Sequence, residues 1–248
     1  MFFREKRMTN FISRKEIEEL SDGMVKGFSQ GTTKDPISVD IDSFVKDYLC
    51  LTVVYENFAE KDVDKVGYTG DGRSTLKVRR NGIIVEIRFP QKTIVLDKFL
   101  LTPSEECLRR YVLAHEAGHF LSNSVNPDNP ACFYHSQQSI DENQIYTFRE
   151  LKERFSIDEL NANSFAKALL MPRFIMKNVL RKYNAGRRLP IYGECVFHPR
   201  EKTILKKMED TLLVSHSSLV LRLRELDMLK YHSITEYITK ELGYGRKI

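Results

Sequence analysis

The stretch Ala114-His115-Glu116-Ala117-Gly118-His119 constrains the fold of this chain more than any other. It reads H-E-x-x-H. Two histidines four apart act together on a helix, where that spacing leaves them about 40° apart on one face and one turn from each other. A helix is therefore expected here, with both imidazoles able to grip one tetrahedral ion. Glu116 lies about 100° round from His115. There its carboxylate can take a proton from the water that a bound zinc polarises without joining the ligands. Neutral nitrogen ligands leave zinc enough positive charge for that work, and the carboxylate serves first as base and then as acid. Gly118 costs the helix about 1 kcal/mol relative to alanine, so something is expected to approach closely at that point.

A catalytic zinc with two histidines needs one more protein ligand and an open position for water. His135, Glu142, Glu150, Glu153, Asp158 and Glu159 all stand downstream. Glu159 is favoured because its helix leads into Phe165, Ala166, Leu169 and Leu170, whose packing can fix its position. Asn163 follows four residues later on the same face, placed to orient a ligand histidine through a hydrogen bond. Two histidines and one glutamate are the donor set of thermolysin-like enzymes.

The rest of the pattern is mixed. An amphipathic helix is expected over 13–30, from Ile17, Leu20, Met24, Val25 and Phe28, then a linker at 31–36 and a short helix over 40–49. Strands are expected over 51–55, 75–79, 83–89 and 93–96. Asn81-Gly82 gives a two-residue hairpin signal between the middle pair. The motif helix should start at Ser104, carry Cys107 as a small buried residue and stop near 122–123. After a polar stretch over 123–148, long enough to cover a cleft as a lid, a helix is expected over 156–171, broken by Pro172. The remainder reads as helical and basic. The expected organisation is a helical extension over 1–36, a zinc metallopeptidase core over 37–183 and a helical region over 184–248.

Composition excludes several classes. At 248 residues, 42% apolar and 29% charged, the chain is neither disordered nor fibrous. No apolar run approaches the ~20 residues of a membrane span. The opening MFFREKRMTNF has charges within its apolar stretch and does not read as a secretory signal. Cys50, Cys107, Cys132 and Cys195 show no C-x-x-C spacing, so neither a disulfide framework nor a cysteine zinc site is indicated. A reducing cytoplasm is expected. The net charge is only +5, with basic residues gathered between Arg173 and Lys207 and interrupted by Glu194 and Glu201. That reads as a solvated face with weak, nonspecific attraction for nucleic acid.

The run His115-Glu116-Ala117-Gly118-His119-Phe120-Leu121, with Asn161-Ala162-Asn163-Ser164-Phe165-Ala166 and Leu169-Leu170-Met171-Pro172, resembles the ImmA/IrrE family of metallo-endopeptidases. Members show an H-E-x-G-H helix and then one reading close to E-x-E-A-N-x-F-A-x-x-L-L-M-P. The likeness covers about Ile41 to Pro172, and the tail from Leu213 to Leu226 also resembles the family's ending. Asn161 stands where the family has a second glutamate, which leaves no competitor two residues from Glu159. The segment between His119 and Glu159 is longer than usual. The resemblance implies an α+β fold, with a zincin-like core whose small, mainly antiparallel sheet packs on the H-E-x-x-H helix, followed by a helical C-terminal region. It also implies Zn2+ held by His115, His119 and Glu159, with Glu116 catalytic and an extended substrate paired to the sheet's edge strand. Members are cytoplasmic regulators, often carried on mobile elements, that cut a helix-turn-helix repressor.

Tyr134, His135, Tyr192 and His198 are candidate donors to a developing oxyanion. His216 and His232 read as surface or helix-end residues with no acidic or histidine partner at ligand spacing. Two rival functions are a DNA-binding regulator with a structural or vestigial zinc site and a toxin–antitoxin component. The first would use 208–229 as a helix-turn-helix, but Leu219, Val220, Leu221, Leu223 and Leu226 look committed to packing.

Overall fold

A computed structural model describes residues 12–29, 35–62, 65–125, 157–240 and 242–243. The chain divides into two compact units, one of Met1–Thr32 with Val39–Pro172 and the other of Thr33–Ser38 with Arg173–Ile248.

In the first unit, α1 (Arg14–Ser29) buries Ile17 and Val25. A second helix, α2, is α-helical only over Ile41–Ser43, with Asp40 capping the Ser43 amide. It then widens into a π turn over Phe44–Tyr48, closed by the Leu49 amide on the Phe44 carbonyl. Ile41, Phe44 and Val45 are fully buried as their spacing predicts, whereas Tyr48 is exposed and stacks on Phe44.

Five strands follow: β1 (Thr52–Glu56), β2 (Gly67–Thr69), β3 (Thr75–Arg80), β4 (Ile83–Arg88) and β5 (Thr93–Asp97). Asn81 and Gly82 both take positive φ, 51° and 80°, and close the β3–β4 hairpin as expected. The other three strands form a separate sheet in the order β1-β5-β2. Among the described strands of this unit two pairs are antiparallel, as a mainly antiparallel arrangement requires, and one is not. β2 runs antiparallel to β5, but β1 runs parallel to it, Thr52 opposite Thr93. The chain leaves β1 and returns to β5 through a long connection that contains the hairpin, and this connection permits the parallel pair.

Helix α3 (Glu106–Val125) carries the motif. It begins two residues later than Ser104, because Pro103–Glu105 form a 3-10 turn. Cys107 is exposed, contrary to expectation, since that first turn lies at the surface. From Val112 to His119 every residue is buried. Such all-round burial marks a helix inside a core: α3 packs against β2 and β5 and against α4 (Ile157–Leu170), on which α1 also lies. Arg109 ties α3 to α2 through a paired contact with Asp42, at 2.7 and 2.8 Å. It also donates to Glu106 and to the Tyr55 hydroxyl.

The second unit holds α5 (Arg173–Asn184), β6 (Leu189–Tyr192), α6 (Pro199–Leu212), α7 (His216–Glu225), β7 (Leu229–His232) and α8 (Ile234–Lys240). The sequence reading gave this region helices alone. β6 and β7 pair in parallel, Leu189 opposite Leu229, and at four residues each they are too short to show an alternation. In α7 and just beyond it Leu219, Leu223 and Leu226 are buried, while Leu221 is exposed and Val220 partly so. His216 and His232 each meet a carboxylate, Glu209 at 2.6 Å and Glu236 at 3.3 Å, which the sequence reading missed. No helix among the described residues is long and apolar enough to cross a membrane.

Candidate metal centre

Two crossing helices make the site. Where α3 meets α4, a Cβ on Gly118 would stand 2.8 Å from the Ala162 carbonyl oxygen and 3.0 Å from its Cα. The close approach expected at Gly118 is therefore a neighbouring helix backbone. This contact sets Glu159, in the first turn of α4, opposite the histidine face of α3. The first turn of a helix suits an ionised carboxylate, because the unpaired amides there carry partial positive charge.

His115, His119 and Glu159 converge. Nε2 of His115 lies 3.1 Å from Nε2 of His119. Each Nε2 lies 3.3 Å from a different oxygen of Glu159. A tetrahedral ion with bonds of about 2.0–2.1 Å holds its ligands about 3.3–3.4 Å apart. The two nitrogens, and each nitrogen with its nearer carboxylate oxygen, already stand at about that separation; one atom from each residue lies within 4.8 Å of the others, and the residues fit a metal ion.

The orientation of His115 has a cause. Its Nδ1 is 3.1 Å from Oδ1 of Asn163, which also accepts from the Tyr111 hydroxyl at 2.6 Å. An amide oxygen only accepts, so Nδ1 carries the proton and Nε2 keeps its lone pair for an ion. The sequence reading found Asn163 but passed over Tyr111. Tyr111, His115 and His119 are spaced by fours, and that repeat places the tyrosine on the same helix face.

Glu116 is 1% exposed, on the side of α3 that meets β2. The Thr69 hydroxyl donates to its Oε2 at 2.7 Å. Burying a carboxylate without such partners costs several kcal/mol, and an apolar residue would serve packing better.

The family model for peptidase M78, the IrrE N-terminal-like domain, matches residues 47–189. The chain belongs to the M78 family of peptidases. The match includes His115, Glu116, His119, Glu159 and Asn163 and reaches the first residue of β6. No curated protein matches the chain. The mixed α+β architecture fits an M78 metallopeptidase domain, and membership implies a peptidase with a metal and a protein substrate.

The other residues considered from the sequence are placed as follows, each within its own unit. Tyr134, His135, Glu142, Glu150 and Glu153 lie outside the described residues, as does most of the 123–148 segment. Asp158 is described, but the convergent group takes its neighbour Glu159. In the second unit, His198 caps α6 by accepting from the Arg200 amide, and the Tyr192 ring packs beside His232 and Tyr237.

Proposed function

We propose that this chain is a zinc-dependent endopeptidase with a zincin-like core, held in the cytoplasm and directed at one protein partner. The observation that carries the reading is the spacing of the His115, His119 and Glu159 donor atoms, at 3.1 and 3.3 Å. Two neutral imidazoles and one carboxylate would hold Zn2+ and leave it a net positive charge. The ion would supply Lewis-acid polarisation to water and to the scissile carbonyl.

The chain's own residues have distinct tasks. Asn163 and Tyr111 keep His115 in the tautomer that presents Nε2. Glu116 accepts a proton from the attacking water and returns it to the departing amine, which then leaves as a neutral group. Its burial shields that carboxylate from bulk water and strengthens its field at the reacting atoms.

The resemblance to ImmA/IrrE proteins points to a helix-turn-helix repressor as the partner. Leu219 and Leu223 of α7 are spent on packing, which weighs against the rival reading of this chain as a DNA reader. Incubating the zinc-loaded protein with casein and with a repressor from the same genome tests the assignment. Cleavage of the repressor at one or a few bonds, lost on chelation and restored by zinc, supports it. Rapid unselective digestion of casein contradicts the single-partner reading.

A further inference from the structure

Strand β2 is three residues long, yet it touches the catalytic helix with two of them. Its register on β5 sets Gly67, Tyr68 and Thr69 opposite Leu96, Val95 and Ile94. Side chains alternate along a strand. Tyr68 thus turns one way, into a cluster with Leu76, Val78, Phe89 and Val95, where burial pushes its phenol up to about 12. Gly67 and Thr69 turn the other way, to Glu116.

Thr69 is 4% exposed and needs an internal partner for its hydroxyl. The hydroxyl has one proton and two acceptors, both on Glu116: Oε2 at 2.7 Å and the main-chain oxygen at 3.1 Å. The shorter bond goes to the carboxylate, the stronger acceptor of the two. A β-branched residue in a paired strand has little freedom at χ1, so the sheet fixes where that hydroxyl sits. Gly67 has the complementary role. A Cβ there would lie 2.4 Å from Oε1 of Glu116 and 2.6 Å from Cγ1 of Val112, so any side chain would displace the carboxylate.

We propose that β2 is the seat of the general base: the Thr69 hydroxyl holds Oε2 of Glu116, and bare Gly67 leaves the carboxylate the space it occupies. Thr69 is then a positioning residue for hydrolysis. The proposal rests on the reading of Glu116 as the base.

Three variants test it: Thr69→Val, which keeps the shape and removes the hydroxyl, Thr69→Ser, which keeps the hydroxyl, and Thr69→Ala should the valine fail to fold. Against one internally quenched peptide selected from a random pool, Thr69→Val should lower kcat about 10- to 100-fold, a loss typical of a misplaced catalytic group. KM and zinc content should stay unchanged, and Thr69→Ser should recover most of the rate. In metal-free protein, Thr69→Val should lower the unfolding midpoint by about 2–4 °C, and by clearly less in a Glu116→Ala background, where only the main-chain acceptor remains. Equal shifts in both backgrounds overturn the proposal without any activity assay. So does wild-type kcat in Thr69→Val when Glu116→Gln is inert, a result that leaves the base reading standing. Wild-type cleavage by Glu116→Gln would remove the base reading itself, and the proposal with it.

Discussion

Nδ1 of His115 and Oδ1 of Asn163 face each other at 3.1 Å across α3 and α4, and the amide oxygen settles which ring nitrogen carries the proton. Replacing Asn163 with alanine removes that constraint while leaving all three ligands. Zinc affinity should fall by about 10- to 100-fold, the range for groups that orient a metal ligand. Tyr111→Phe, which removes only the second donor to the same oxygen, should cost less. Competition with a chromophoric chelator measures both.

Glu159 supplies an oxygen to each histidine nitrogen, so Glu159→Ala should lose zinc at stoichiometric concentrations. Metal content after dialysis reads this directly. Zinc retained by Glu159→Ala but lost from Glu142→Ala or Glu153→Ala would move the third ligand elsewhere.

At Gly118 two effects oppose. Alanine gains up to about 1 kcal/mol in helix propensity, but its Cβ would stand 2.8 Å from the Ala162 carbonyl, which belongs to helix backbone and cannot swing aside. Overpacking of this kind costs about 1–3 kcal/mol. The loss should win: Gly118→Ala should unfold at lower temperature and bind zinc more weakly, because moving α4 moves Glu159. Thermal unfolding with and without zinc checks both effects.

The Arg109 cluster predicts an acid-labile part of the stability. Hydrogen bonds from the Arg109 guanidinium hold both Asp42 and Glu106 below their ordinary values of 3.8 and 4.5. A carboxyl lowered in the folded state stabilises it above its ordinary pKa, and that contribution disappears as pH falls through the folded value. Stability should therefore drop on acidification below about pH 4.5, the upper of those ordinary values. Asp42→Asn should be less stable at neutral pH and should lose less on the way down. Denaturant titrations across pH 2–7 test the sign.

The convergent group of His115, His119 and Glu159 was legible because its signals are local. His115 and His119 sit one helical turn apart, and Glu159 and Asn163 share a face of the next helix. Gly118 also announced a close approach, though not that another helix makes it. What escaped was carried by tertiary pairing. β2 is three residues with a glycine, too short to alternate, so neither Gly67 nor Thr69 was linked to Glu116, 47 residues from the threonine. The parallel β1–β5 pair and the short β6–β7 pair were hidden for similar reasons: strand direction follows from the connection, and four residues carry no period. Cys107 read as buried because it opens an apolar helix, yet the 3-10 turn before it puts that end at the surface.

The division of labour between ligands and base is the central claim, and Glu116→Gln tests it most directly. Zinc content and peptide cleavage should be measured on the same preparation. The account predicts about one zinc per chain, as in the wild type, with cleavage reduced by at least about 10²-fold, the lower end of a general base's contribution. Loss of the zinc would make Glu116 a ligand, and undiminished cleavage with zinc retained would show that it is not the base; either result contradicts the account.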